Sequence, residues 1–184
     1  FEINVPWENT QVRRRFLSRE EQNTFLAAME HNWHKEMFYI MFLTGMRIGE
    51  VGGLMWKDID FENKCLHINR SLSCQYEYGE KILRLTAPKT HNSYRKIPFF
   101  GEAEEMFQSQ KNKVDLLKKT LGRRWRAAGE YEDLVFVTTM GSPVLRHHAE
   151  KEIKKVIKQI NEQEAFDSVR EQREPHYFED LYPH

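Results

Sequence analysis

The chain is short of cysteine, of unbalanced charge and of long apolar runs. Only Cys65 and Cys74 are present among 184 residues. Neither has a neighbour at a metal-ligand spacing, so reduced thiols are expected, and no metal and no disulfide framework. Twenty-eight Lys and Arg stand against 28 Asp and Glu, a net charge of zero. That removes any global electrostatic attraction to nucleic acid and leaves only local patches to carry one. No run approaches the roughly 18 apolar residues of a membrane span. The opening stretch FEINVPWENTQ shows no basic-then-apolar pattern, so no secretory signal is expected. There is no internal repeat and no low-complexity segment. A hydrophobic content of 40% and a charged content of 30% fit one globular domain with a real core. The start at Phe1 suggests a piece of something longer.

What is present centres on Thr44-Gly45-Met46-Arg47-Ile48-Gly49-Glu50. An apolar helical run, residues 37–43, leads into it, and a shorter one, residues 51–56, follows. An arginine between two core-forming segments is expected to be drawn from bulk water and to need an anionic partner. Glu50, three residues on, is within helical reach and can orient it. The planar guanidinium suits a phosphate. Gly45 and Gly49 allow a tight turn and a close approach to whatever Arg47 holds. A plain ion pair pinning two helices accounts for the same residues equally well.

Around this point the chain reads as helical with one small β region. Residues 1–16, with Arg13-Arg14-Arg15, form a lead-in. Ser18 and Glu21 make a capping box for a helix reaching about Glu30. A second helix covers about His34 to Leu43 and a third about Gly49 to Met55. Residues 64–70 alternate as a strand does, as do Ile82–Thr86 and Arg95–Pro98, with a turn over Tyr76–Lys81. These three strands are expected to form a small antiparallel meander. The dipole-matched order of Glu102, Glu104 and Glu105 before Lys118 and Lys119 marks a structural helix. A last long helix starts near Arg146, its core face formed by Ile153, Val156, Ile157 and Ile160. Residues 64–96 carry seven Lys or Arg against Glu77 and Glu80, a local balance of +5. A basic hairpin is suited to DNA backbone contact, and equally to keeping a sheet edge from aggregating.

The order of these parts resembles the catalytic domain of tyrosine recombinases. Thr44–Glu50 followed by Leu54, Trp56, Asp58, Ile59 and Asp60 is similar to the family's first box. Pro88-Lys89-Thr90 followed by Arg95-Lys96-Ile97-Pro98 resembles its lysine hairpin. Pro183-His184 resembles the start of its His-x-x-Arg box. The flavour is that of integrases from conjugative transposons and related phages. The resemblance implies an α+β, mainly helical fold with a small three-stranded antiparallel sheet, truncated at its carboxy-terminal end. Residues 1–16 would lead in from a missing core-binding domain, and 17–184 would be an incomplete catalytic domain.

The resemblance also implies a chemistry. A tyrosine attacks a DNA phosphodiester, forms a 3′-phosphotyrosyl bond and releases a 5′-hydroxyl, and strand exchange needs no cofactor. Arg47, Lys89 and His184 would be catalytic, with Glu50 supporting Arg47. Arg70, Thr90, His91, Arg95 and Lys96 would touch DNA. The partners implied are double-stranded DNA, sister subunits in a tetramer at full length, and an accessory directionality factor. The place of action is the cytoplasm, at the bacterial nucleoid, with no membrane partner. The nucleophilic tyrosine and second arginine have no counterpart before His184, so this fragment alone is expected to be inactive. A type IB topoisomerase-like enzyme and a non-catalytic DNA-binding module are the alternatives.

Overall fold

Ser18 starts the first helix as its spacing predicts. Its hydroxyl accepts the Glu21 backbone N–H at 3.1 Å, and the Glu21 carboxylate accepts the Ser18 N–H at 2.7 Å. The exchange satisfies donors that a helix start leaves orphaned. The computed structural model describes residues 17–87 and 94–181. Helices α1 (Arg19–Ala28), α2 (Lys35–Thr44) and α3 (Ile48–Gly52) come first. A 3-10 turn, Trp56–Asp58, leads to strands β1 (Ile59–Asp60), β2 (Cys65–Ile68), β3 (Ser71–Glu77), β4 (Glu80–Thr86) and β5 (Arg95–Pro98). Helices α4 (Gly101–Leu121) and α5 (Arg146–Glu171) complete the order.

The β region differs from the expected meander. Three strands do pair antiparallel, but in the order β1-β2-β5. Ile82–Thr86 falls instead in β4, which among the described residues pairs only with β3, as a separate hairpin. Its turn is tight, with Tyr78 at φ 52° and Gly79 at φ 84°, the paired positive values of a type I′ turn that matches strand twist. β3 escaped the sequence pattern because Leu72 is its one buried residue.

The larger of two apolar clusters joins the helices to the three-stranded sheet. Phe25 of α1, Met37, Phe38 and Ile40 of α2, Val51 of α3, Leu66 and Ile68 of β2, Phe107 of α4 and Val156 of α5 all lie within it. Val135 and Phe136 are there too. α2 is anchored on α4 by a buried ion pair, Glu36 with Lys113. Ser109 adds a hydrogen bond to Glu36 at 2.8 Å. α3 approaches β3 and the 144–145 segment closely. A Cβ on Gly52 would meet the Val144 carbonyl oxygen at 2.8 Å, and one on Gly53 would meet the Leu72 nitrogen at 3.0 Å. Among the described residues no helix is long and apolar enough to cross a membrane.

Candidate functional site

α2 ends where Gly45 takes φ 64° and donates its N–H to the Met41 carbonyl at 2.9 Å. A left-handed residue here closes the helix and sends the chain on to Arg47, the N-cap of α3. Glu50, in the first turn of α3, accepts the Arg47 backbone N–H at 2.8 Å. It also accepts the Arg47 side chain through Nη1 at 3.2 Å.

A second arginine comes from far along the chain. Arg95, the first residue of β5, places Nη1 and Nη2 on the two Glu50 oxygens at 2.7 and 2.8 Å. This is the parallel fork that guanidinium and carboxylate form best. Sequence reading gave Arg95 a DNA contact and missed this pairing, whose partner lies 45 residues earlier.

The burial is the reverse of what the sequence suggests. The acid is the buried member: the Glu50 side chain is 8% exposed, that of Arg95 30%, and that of Arg47 69%. One buried carboxylate thus ties down two cations, and Arg47 presents most of its donors to solvent. The cluster carries two positive charges and one negative, so it can receive one more anion. It offers a metal only the Glu50 oxygens, which already accept these bonds.

Burial pushes the Glu50 carboxyl up. The hydrogen bonds from Arg95, the Arg47 N–H and the Arg47 guanidinium outweigh that and hold it below its ordinary range. A carboxylate with a depressed folded-state pKa stabilises the fold fully above its unfolded value of about 4.3. That contribution is lost as pH falls through the lower folded value. Urea unfolding of the parent is therefore expected to weaken below about pH 4.3 more steeply than that of Glu50→Gln. Parallel pH profiles for the two proteins would refute the assignment.

The other expected site residues divide. Lys96, on β5, is exposed and pairs in register with His67. Arg70, expected against DNA, bonds the buried carboxylate of Asp58 and is 19% exposed. Asp58 also accepts the Met55 backbone N–H at 3.0 Å and the Asn69 side chain at 3.1 Å, so this pair locks the 3-10 turn to the end of β2. Lys89, Thr90, His91 and His184 lie outside the described residues. Much of the local positive charge is neutralised: Lys64 pairs with Glu104, Arg70 with Asp58, Arg84 with Glu77 and Arg95 with Glu50. Among the described residues of the segment, Lys81 and Lys96 are the basic side chains without an ion pair.

Comparison with known proteins shows what the chain is similar to. The model of the phage integrase family matches residues 15–178. A tyrosine recombinase XerC-like protein of Caldanaerobacter subterraneus subsp. tengcongensis is 30% identical over 158 residues, 83% of this chain and 40% of that one. The transposase from transposon Tn916 of Enterococcus faecalis is 27% identical over 165 residues, 88% of this chain and 38% of its own length. The chain thus spans about two fifths of the length of these relatives. Among solved structures, a Tn1549 transposon integrase in complex with a circular intermediate DNA superposes with a TM-score of 0.71 at 19% identity. It covers 96% of this chain and 51% of that one, and shows the shared fold.

Proposed function

Since the chain belongs to the phage integrase family, we propose that it supplies the phosphate-activating part of a site-specific DNA recombinase that integrates a mobile element. The observation that carries this is the exposed Arg47 guanidinium, held by a buried Glu50 whose two oxygens Arg95 also clamps.

In this reading a tyrosine hydroxyl gives its proton to His184 as its oxygen bonds to phosphorus, and the phosphorus–O5′ bond breaks. The DNA 3′ phosphate becomes a phosphotyrosyl ester, and the leaving 5′ oxygen takes a proton from Lys89. Negative charge concentrates on the non-bridging oxygens in the transition state, where Arg47 and His184 meet it. Such preorganised donors are the largest single source of rate in this class of chemistry. One ester replaces another, so the step reverses during strand exchange without an energy source. The nucleophile is assigned to none of the seven tyrosines of the chain. Lys96, Thr90 and His91 hold the DNA backbone, with Arg70 contributing through the nitrogens Asp58 leaves open. The working assembly is a tetramer on two DNA sites in the bacterial cytoplasm, with an accessory factor setting direction.

The test uses the protein expressed from its complete reading frame on a nicked duplex carrying its recombination site. The nick lets the cleaved piece diffuse away and traps a covalent adduct, visible on a denaturing gel. DNA bound but never covalently trapped would overturn the enzymatic reading in favour of a binding module. Lys96→Ala is expected to weaken binding alike on all sequences and to lower the log–log salt slope by about 1.

A further inference from the structure

Cys65 has no ligand partner at a familiar spacing along the chain, but the sheet gives it two. β1 pairs with β2 so that Asp60 lies directly opposite Cys65. His67 follows two residues along β2, and strand pleating puts it on the same face as Cys65. Leu66 and Ile68, at 0% and 2% exposure, fill the opposite, core-facing side. The ligand atoms of Asp60, Cys65 and His67 all lie within 4.8 Å of one another, and all three residues are partly open to solvent. Cys65 Sγ and His67 Nε2 are 3.6 Å apart. An ion bound tetrahedrally at about 2.3 Å from sulfur and about 2.0–2.1 Å from nitrogen holds those two atoms about 3.5 Å apart.

We propose that Asp60, Cys65 and His67 form a three-ligand site for a zinc-class divalent transition-metal ion, with a fourth position open to water or an outside ligand. The site uses none of the residues assigned to phosphoryl transfer and stands or falls apart from that reading.

The donor set selects the ion. A thiolate and an imidazole suit zinc, cobalt and their neighbours, whereas magnesium and calcium take oxygen ligands. Asp60 is prepared for the role. Its Oδ1 accepts the Asn63 backbone N–H at 2.8 Å, and its Oδ2 accepts the Asn63 side-chain amide at 2.7 Å. The Glu62 backbone N–H adds a third donor, which still leaves a lone pair free on the carboxylate, and such outer hydrogen bonds orient a metal ligand. Binding displaces the thiol proton to solvent, so the ion's two positive charges meet one thiolate and one carboxylate. The filled site is neutral, and therefore adds no net repulsion to Lys96 on the neighbouring strand. It ties β1 to β2 across a sheet whose edge strand is two residues long.

The test is a cobalt titration of the reduced 184-residue chain after removal of bound metals by chelator. A thiolate-to-cobalt charge-transfer band in the near ultraviolet is expected, with the intense visible bands of four-coordinate cobalt. Zinc should displace both. Cys65→Ser should abolish the charge-transfer band, and His67→Ala and Asp60→Asn should each weaken cobalt binding by about tenfold or more. Cys74→Ser should change nothing. Circular dichroism checks that each variant folds. A pale six-coordinate spectrum from the parent chain, which depends on no variant, would overturn the proposal and leave a thiol–imidazole hydrogen bond. A charge-transfer band that follows Cys74 would overturn it as well.

Discussion

Replacing Arg47 by alanine is expected to slow strand cleavage by about 100- to 1,000-fold, the usual cost of one transition-state donor. The melting temperature should barely move. Arg47 is 69% exposed on its side chain and, among the described residues, makes one side-chain bond, at 3.2 Å, to Glu50. An exposed side chain of this kind is worth within about 0.5 kcal/mol of stability. Glu50→Ala should behave differently. It removes the acceptor of the Arg95 fork, the cap on the Arg47 N–H and the support of the Arg47 side chain together. A buried group bonded this way costs about 1–3 kcal/mol to unpair, and Arg95 reaches enough solvent to keep the loss from being larger. Cleavage should fall too, because Arg47 loses its orientation. Arg47→Lys keeps the charge but not the fork, so it should recover only part of the rate. Single-turnover adduct formation at saturating protein, beside thermal unfolding, separates these cases. An Arg47→Ala rate within about tenfold of the parent would remove Arg47 from the chemistry.

The contrast between these variants also shows where sequence is informative. The capping box at Ser18 and the Arg47–Glu50 pair are readable because both are local, three residues apart on one helical turn. The dipole-ordered charges of α4 and the apolar face of α5 are local as well. The sequence marks Arg95 as a DNA contact and not as a partner of Glu50, because that partner lies 45 residues away and no periodicity links a strand to a helix cap. For the same reason burial was assigned to Arg47 and not to Glu50. Apolar neighbours show that a segment meets the core, not which of its polar side chains turns inward. Gly49 approaches Ser71, where an added Cβ would come within 2.5 Å of the hydroxyl, rather than the group that Arg47 holds. Period-two alternation finds β2 but not β3, where Cys74 and Tyr76 follow the single buried Leu72 on its face and Ser71, Ser73, Gln75 and Glu77 line the other. Asp60, Cys65 and His67 come together only through strand register, which depends on the whole sheet.

Phe107→Ala is expected to cost about 3–5 kcal/mol, the usual price of emptying a fully buried aromatic site. Stabilities of small domains run to about 5–15 kcal/mol, so this one change takes a large share. Phe107 is 0% exposed and, among the described residues, its ring meets three others. Phe99 lies at 5.7 Å and 70°, Phe61 at 6.3 Å and 89°, and Phe136 at 6.5 Å and 39°. Edge-on pairs of this kind add about 0.5–1.5 kcal/mol beyond the area they bury. The three partners come from the end of β5, the turn after β1 and the buried 134–137 segment, so no single neighbour can collapse into the space. Leu116→Ala on the same helix, at 68% exposure, should stay within about 0.5 kcal/mol. The measurement is the shift in urea midpoint at unchanged slope. A loss below about 1.5 kcal/mol would mean that the ring cluster repacks. The cavity also bears on the site. Phe99 directly follows β5, and β5 begins with Arg95, so the ring that pins Phe99 helps to hold the fork on Glu50. The Phe99–Phe107 ring contact is thus the link between α4 and the chain that carries Arg95. Phe107→Leu, which keeps most of the volume, should restore the midpoint and the pH profile of Glu50 together.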